Sequence, residues 1–154
     1  MISLPNTLRL SKPLLVLDTN VVLDLLHFDD PTTRPLLQAL ESGRARCGVI
    51  DATFGEWRRV LDYPDFELDP ARKTALVARY RELSTMVEKD EAIAGLPRCS
   101  DPDDQKFIEL AAASGAVALI SKDRAVLKLR RRCAPWFRVM APAEAVGWLD
   151  TALY

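Results

Sequence analysis

Leu14-Leu15-Val16-Leu17-Asp18-Thr19-Asn20-Val21-Val22 is the stretch on which the fold turns. Four apolar residues follow one another with no alternation, which is the pattern of a parallel strand buried on both faces. The strand runs straight into a carboxylate. Thr19 or Asn20 then caps a helix, because Val21, Val22, Leu25 and Leu26 carry helical spacing. A strand, an acid at its carboxyl end and an immediate helix are the start of a βα unit.

The same grammar recurs along the chain. Asp29-Asp30-Pro31 breaks the first helix, and Thr32 or Thr33 caps a second through Leu36, Leu37 and Leu40, stopped by Gly43. Cys47 to Ile50 reads as strand two. Asp51 or Thr53 starts a third helix with Phe54, Trp57, Val60 and Leu61 on one face, ended by Tyr63-Pro64. Asp69-Pro70 opens a long helix through Leu76, Val77, Tyr80, Leu83 and Met86, with Met86-Val87-Glu88 as a short third strand. Asp101-Pro102-Asp103-Asp104 opens a helix carrying Phe107, Ile108, Ala111 and Ala112, stopped at Gly115. Val117 to Ile120 and Phe137 to Met140 are strands four and five, and Ala143 to Leu149 is a terminal helix. Strands alternating with helices predict an α/β fold on an open, parallel sheet of about five strands.

Four acids sit where apolar segments give way to polar sequence: Asp18, Glu56, Asp104 and Asp123. In such sheets ligands bind outside the carboxyl ends of the strands, so these side chains are expected to gather at one edge. Carboxylates brought together repel, and burying them is costly unless a cation neutralises them. Hard oxygen ligands select Mg²⁺ or Mn²⁺. Each acid also has an ordinary reading. Asp101, Asp103 and Asp104 favour a helix start by roughly 0.3–2 kcal/mol, Glu56 suits a solvated helix face, and Asp123 suits the cap of a turn at Arg124 to Leu127. The joint pattern carries the metal reading.

The 154 residues suit one domain, 1–154, with residues 1–12 as a leader segment. A net charge of −1 gives no bulk attraction to polyanions, so any nucleic acid must be held by local basic patches or by metal. No stretch approaches the apolar length of a membrane span and the N-terminus lacks a signal-peptide core, so a cytoplasmic location is expected. Cys47, Cys99 and Cys133 are odd in number and have no zinc spacing, as expected of reduced thiols. The single His27 excludes a multi-histidine metal site.

Residues 14–23 resemble the opening motif of PIN-domain nucleases, a strand ending in Asp-Thr-Asn or Asp-Thr-Ser. Glu56-Trp57-Arg58-Arg59-Val60-Leu61 is similar to the second motif, Asp101 to Ala111 to the third, and Leu119-Ile120-Ser121-Lys122-Asp123 to the fourth. The order and spacing of the four, over about residues 14–141, make the resemblance specific. It is closest to bacterial PIN proteins that serve as toxins of toxin–antitoxin modules. The resemblance implies a three-layer α/β/α fold, an Mg²⁺- or Mn²⁺-dependent endoribonuclease that is often a homodimer, an RNA substrate, and a small antitoxin that blocks the site. By position, Asp18, Glu56, Asp104 and Asp123 match the acidic quartet that binds metal and catalyses, and Asn20 and Ser121 match supporting polar positions. Asp101 and Asp103 lie close enough that either is an alternative to Asp104. Hydrolysis leaving a 5′-phosphate is the family expectation.

The basic run Lys122, Arg124, Lys128, Arg130, Arg131 and Arg132 reads equally as an RNA-backbone contact and as a solvated helix end, with an acidic antitoxin segment as a third use. Trp136 is a candidate base-stacking ring, while Phe137 suits the core. Two rival functions remain in view. A haloacid-dehalogenase-like phosphatase needs a second Asp two residues after the first, and here that residue is Asn20. A PIN-like scaffold that binds RNA or a partner without cutting would not need the full acidic set.

Overall fold

The computed structural model describes residues 12–88 and 92–152, so residues 1–11 of the expected leader lie outside the described residues. Leu14–Leu17 forms β1, buried at every position. It is followed by α1 (Thr19–Leu26), a 3-10 turn at Pro31–Thr33 and α2 (Arg34–Glu41). Then come β2 (Arg46–Val49), α3 (Asp51–Val60), α4 (Pro70–Leu83) and β3 (Ser84–Met86). A second 3-10 turn, Pro102–Asp104, leads into α5 (Gln105–Ala113) and β4 (Ala118–Ile120). The chain continues through α6 (Arg124–Leu127), α7 (Arg130–Cys133), β5 (Arg138–Met140) and α8 (Pro142–Ala152).

The five strands form one all-parallel sheet in the order β3-β2-β1-β4-β5. Alternate strand residues feed two cores. Leu15, Leu17, Cys47, Val49, Ala118 and Ile120 pack with α1 to α4 and α8. Leu14, Val16, Leu119 and Val139 pack on the other side with Phe107, Ile108 and Leu110 of α5 and with Val126, Leu129 and Cys133. Helices therefore cover both faces, giving the three-layer α/β/α arrangement that continuous apolar strands require. The three thiols are free and buried, Cys47 on β2 as expected.

From β1 the chain steps outward to β2 and β3, then returns across the sheet to place β4 and β5 on the other side of β1. The order thus reverses between β1 and β4, and a crevice opens past their carboxyl ends. Leu15, Val16 and Leu17 align with Ala118, Leu119 and Ile120, so Asp18 and Ser121 emerge side by side. The Asp18 amide donates to the Ile120 carbonyl at 3.0 Å, extending the pairing by one residue.

Element ends depart from the sequence reading in places. The third strand is Ser84–Met86 rather than Met86–Glu88, although the Val87 amide still donates to Val49 at 2.9 Å. Apolar spacing through Leu83 and Met86 hid the stop. Ser84 adopts an extended backbone, and its hydroxyl donates to the Tyr80 carbonyl at 2.8 Å, using up the last turn of α4. Helix α1 is capped by Asp18 itself, not by Thr19 or Asn20, and α8 runs beyond Leu149 to Ala152. His27 sits at the C-terminal cap of α1.

Candidate metal centre

Asp18 is 4% exposed, and protein donors hold both of its oxygens. The Val21 amide donates to Oδ1 at 3.0 Å, and the Ser121 hydroxyl donates to Oδ2. Burial pushes its carboxyl above the ordinary carboxylate value, partly offset by the Ser121 and Val21 hydrogen bonds. Ser121 is fully buried, and its oxygen also accepts the Asp123 amide at 3.0 Å. One hydroxyl thereby links the acid after β1 to the acid after β4.

Asp123 caps α6 through the Ala125 amide at 2.8 Å. Cap and site membership are compatible, since a carboxylate has lone pairs to spare for a second contact. Asp101 and Asp104 come from the Pro102–Asp104 turn. Asp101 precedes the proline, its carboxylate accepts the Asp103 amide at 3.0 Å, and its carbonyl accepts the Asp104 amide at 3.1 Å. Asp101, the extended residue that caps this turn, and Asp104, its last residue, come together, while Asp103 is exposed at the rim of the same cleft. One carboxylate oxygen from each of Asp101, Asp104 and Asp123 lies within 4.8 Å of the others.

This crowding has an electrostatic signature. Burial, the hydrogen bond with Asp123, and the negative charges of Asp123, Asp101 and Asp18 push the Asp104 carboxyl up to about 8. Asp123 is held below its ordinary value by the hydrogen bond from Asp104 and by the Ala125 amide. The pair thus shares a proton, as two carboxylates at close range must. Asp104 Oδ2 is buried and has no hydrogen-bond partner among the described residues. An octahedral Mg²⁺ with ligands at about 2.1 Å spaces its oxygens roughly 3 to 4 Å apart, so three converging carboxylates, one with an oxygen to spare, fit such an ion.

Glu56, on α3, lines the same cleft. Its Oε1 pairs with Lys106 Nζ at 2.6 Å, and its Oε2 accepts the Thr19 hydroxyl. The Asp-Thr-Asn motif thus divides its work: Asp18 caps α1, Thr19 holds Glu56, and Asn20 is exposed at the cleft. Asp18, Asn20, Glu56, Asp101, Asp104 and Asp123 line one cleft of about 340 Å³, together with Val60, Tyr63 and Phe66. The structure brings the four sequence-selected acids to this cleft. Within ligand distance of one another it places Asp104 and Asp123, joined by Asp101.

Two residues have a larger part in the cleft than the sequence indicates. Asp101 was read as an alternative to Asp104 and instead stands beside it. Tyr63, 55% exposed, was read only as a helix end and lies at the cleft rim. The basic run is partly committed elsewhere. Lys122 pairs with the buried Asp24 at 2.9 Å, and Arg130 makes two 2.8 Å contacts with Glu144. Phe137 is core, and Trp136 is 36% exposed.

The parallel α/β sheet carries a carboxylate-lined crevice at its switch point, a donor set of the kind that suits a divalent ion. A family model, the PIN domain, matches residues 14–125, and the chain belongs to that family. PIN domains are generally nucleases that use divalent metal ions. A search of curated proteins finds no match. No helix among the described residues is long and apolar enough to cross a membrane.

Proposed function

We propose that the protein is an Mg²⁺- or Mn²⁺-dependent endoribonuclease acting in the crevice between β1 and β4, and that it is the toxin of a toxin–antitoxin pair. The observation that carries the nuclease reading is the meeting of Asp101, Asp104 and Asp123 beside Asp18, with the buried Asp104 Oδ2 left without a partner. The toxin role rests on the motif resemblance. A small antitoxin would act by covering the cleft, and pairing of two copies is part of the same expectation.

Asp101, Asp104 and Asp123 would hold the ion, with Asp18 next to them. Asp18 accepts hydrogen bonds from the Ser121 hydroxyl and from the Val21 and Lys122 amides, which fix its carboxylate at the edge of the cleft. When bound, the divalent ion supplies a Lewis acid that makes water nucleophilic near neutral pH and offsets charge growing on phosphate oxygens. Asp104 and Asp123 would both be ionised in the loaded site, without the proton they share in the metal-free one. Ser121 keeps Asp18 and Asp123 in fixed relation, so the acids need not reorganise during reaction. Asn20, exposed at the cleft, is placed to hydrogen-bond a substrate oxygen, and Tyr63 offers a ring on which a base can stack for about 1–3 kcal/mol.

A panel of structured and single-stranded RNAs, incubated with wild type and Asp18→Asn side by side, tests this. Wild type should cut in Mn²⁺ and stop in excess chelator, while Asp18→Asn should stay folded and cut nothing. Undiminished cleavage by the variant, or full activity in chelator, contradicts the proposal.

A further inference from the structure

We propose that Lys106 is a positioning residue, a resident cation that takes the place of a second metal ion, so that the cleft accepts one divalent ion on its Asp101–Asp104–Asp123 side. This deepens the nuclease reading and rests on it. The acids of the cleft differ in how their charge is met. Both oxygens of Glu56 are already engaged, one by the Lys106 ammonium at 2.6 Å and the other by the Thr19 hydroxyl.

Lys106 is itself held in place. Its ammonium donates to the Asp103 carbonyl and lies 5.4 Å from the centre of the Phe107 ring. Lys106 and Glu56 side chains are only 23% and 20% exposed, so their attraction is poorly screened. Asp104 Oδ2, by contrast, is buried without a partner among the described residues. A dication bonded to Glu56 would have to displace Lys106 or stand against a like charge within a few ångströms. Asp101, Asp104 and Asp123 offer a dication three carboxylates with oxygens within 4.8 Å of one another and, among the described residues, no salt bridge to a basic side chain.

Lys106 follows Asp104 by two residues, in the first turn of α5. The same turn that gathers two acids therefore delivers the cation that neutralises a third. Glu56 and Lys106 then serve as one fixed, nearly neutral pair that braces Thr19, next to Asp18, rather than as a ligand set.

Mn²⁺ titrated into the metal-free full chain, read by calorimetric stoichiometry and by electron paramagnetic resonance, tests this with four proteins. Wild type should take up one ion per chain with an uncoupled signal. Asp104→Asn should weaken that binding by at least about 100-fold. Glu56→Gln should keep one ion and change its affinity by less than about tenfold, the long-range Coulomb part alone. Lys106→Met should release Glu56 and admit a second ion; if that variant does not fold, Glu56→Gln still decides.

Two exchange-coupled ions in wild type overturn the role of Lys106. So does loss of binding in Glu56→Gln equal to that in Asp104→Asn, or one ion in a folded Lys106→Met. Those results leave the nuclease reading intact. No Mn²⁺ uptake by wild type overturns that reading and this inference with it.

Discussion

The Ser121 hydroxyl touches the acids of the first and fourth motifs at once, donating to Asp18 and accepting the Asp123 amide at 3.0 Å. Ser121→Ala leaves Asp18 buried with one donor fewer, and a buried acceptor without its partner costs about 1–3 kcal/mol. Mn²⁺ affinity should fall by about 10- to 100-fold, the usual effect of removing a group that orients a metal ligand. Denaturant midpoints and Mn²⁺ titration measure the two losses. Unchanged values in both would remove Ser121 from the site. Much of this scale was legible in the sequence, since Asp18 and Asp123 each end an apolar strand and the hydroxyl precedes Asp123 by two residues. Asp101 was not legible as a third neighbour. Its place depends on the Pro102–Asp104 turn and on the extended backbone of Asp101 that enters it, conformations that local apolar spacing does not contain.

Among the elements, the Pro102–Asp104 turn does most to shape the centre, and Gln105 fastens it. The Gln105 side chain accepts the Cys99 amide at 2.7 Å and donates to the Pro97 carbonyl at 3.1 Å, tying the approaching loop to the start of α5. Gln105→Ala removes both bonds at about 0.5–1.5 kcal/mol each. It should lower Mn²⁺ affinity while the far-ultraviolet dichroism stays that of the wild type. A variant with wild-type affinity would mean that the turn holds its shape without the staple. Helix existence was readable from apolar spacing and from caps such as Asp69-Pro70, and Gly115, at φ +71, stops α5 where expected. Ends were less readable. The α4–β3 junction is set by strand pairing of Ser84, Thr85 and Met86 with Cys47, Gly48 and Val49, a long-range register that local periodicity does not contain.

Across the whole molecule, the order β3-β2-β1-β4-β5 turns four separated stretches of sequence into one acidic crevice. That convergence has a consequence for stability. Asp104, at about 8 in the folded chain, lies above its ordinary 3.8, so folding takes up a proton between those two values. Stability from this group is full below about pH 4, falls as pH rises through the folded value near 8, and changes no further above it. Asp123, held low, works in the opposite sense only at acid pH, below its ordinary value. Metal-free protein should therefore melt at a lower temperature at pH 8.5 than at pH 5.5, and Mn²⁺ should raise the melting temperature most at the higher pH. Scanning fluorimetry in chelator and in Mn²⁺ reads both. A melting temperature independent of pH in chelator would contradict the shared proton. The parallel sheet was evident from strands such as Leu14–Leu17 with no polar face. Which acids would meet closely was not, because that depends on side-chain placement within a few ångströms.

Crystals soaked in Mn²⁺ and measured at the manganese absorption edge give the most direct reading of the centre. One anomalous peak, at direct ligand distance from Asp101, Asp104 and Asp123 and next to Asp18, is the expected result. A map with no peak in that crevice, or with manganese bound only elsewhere on the surface, would contradict the account.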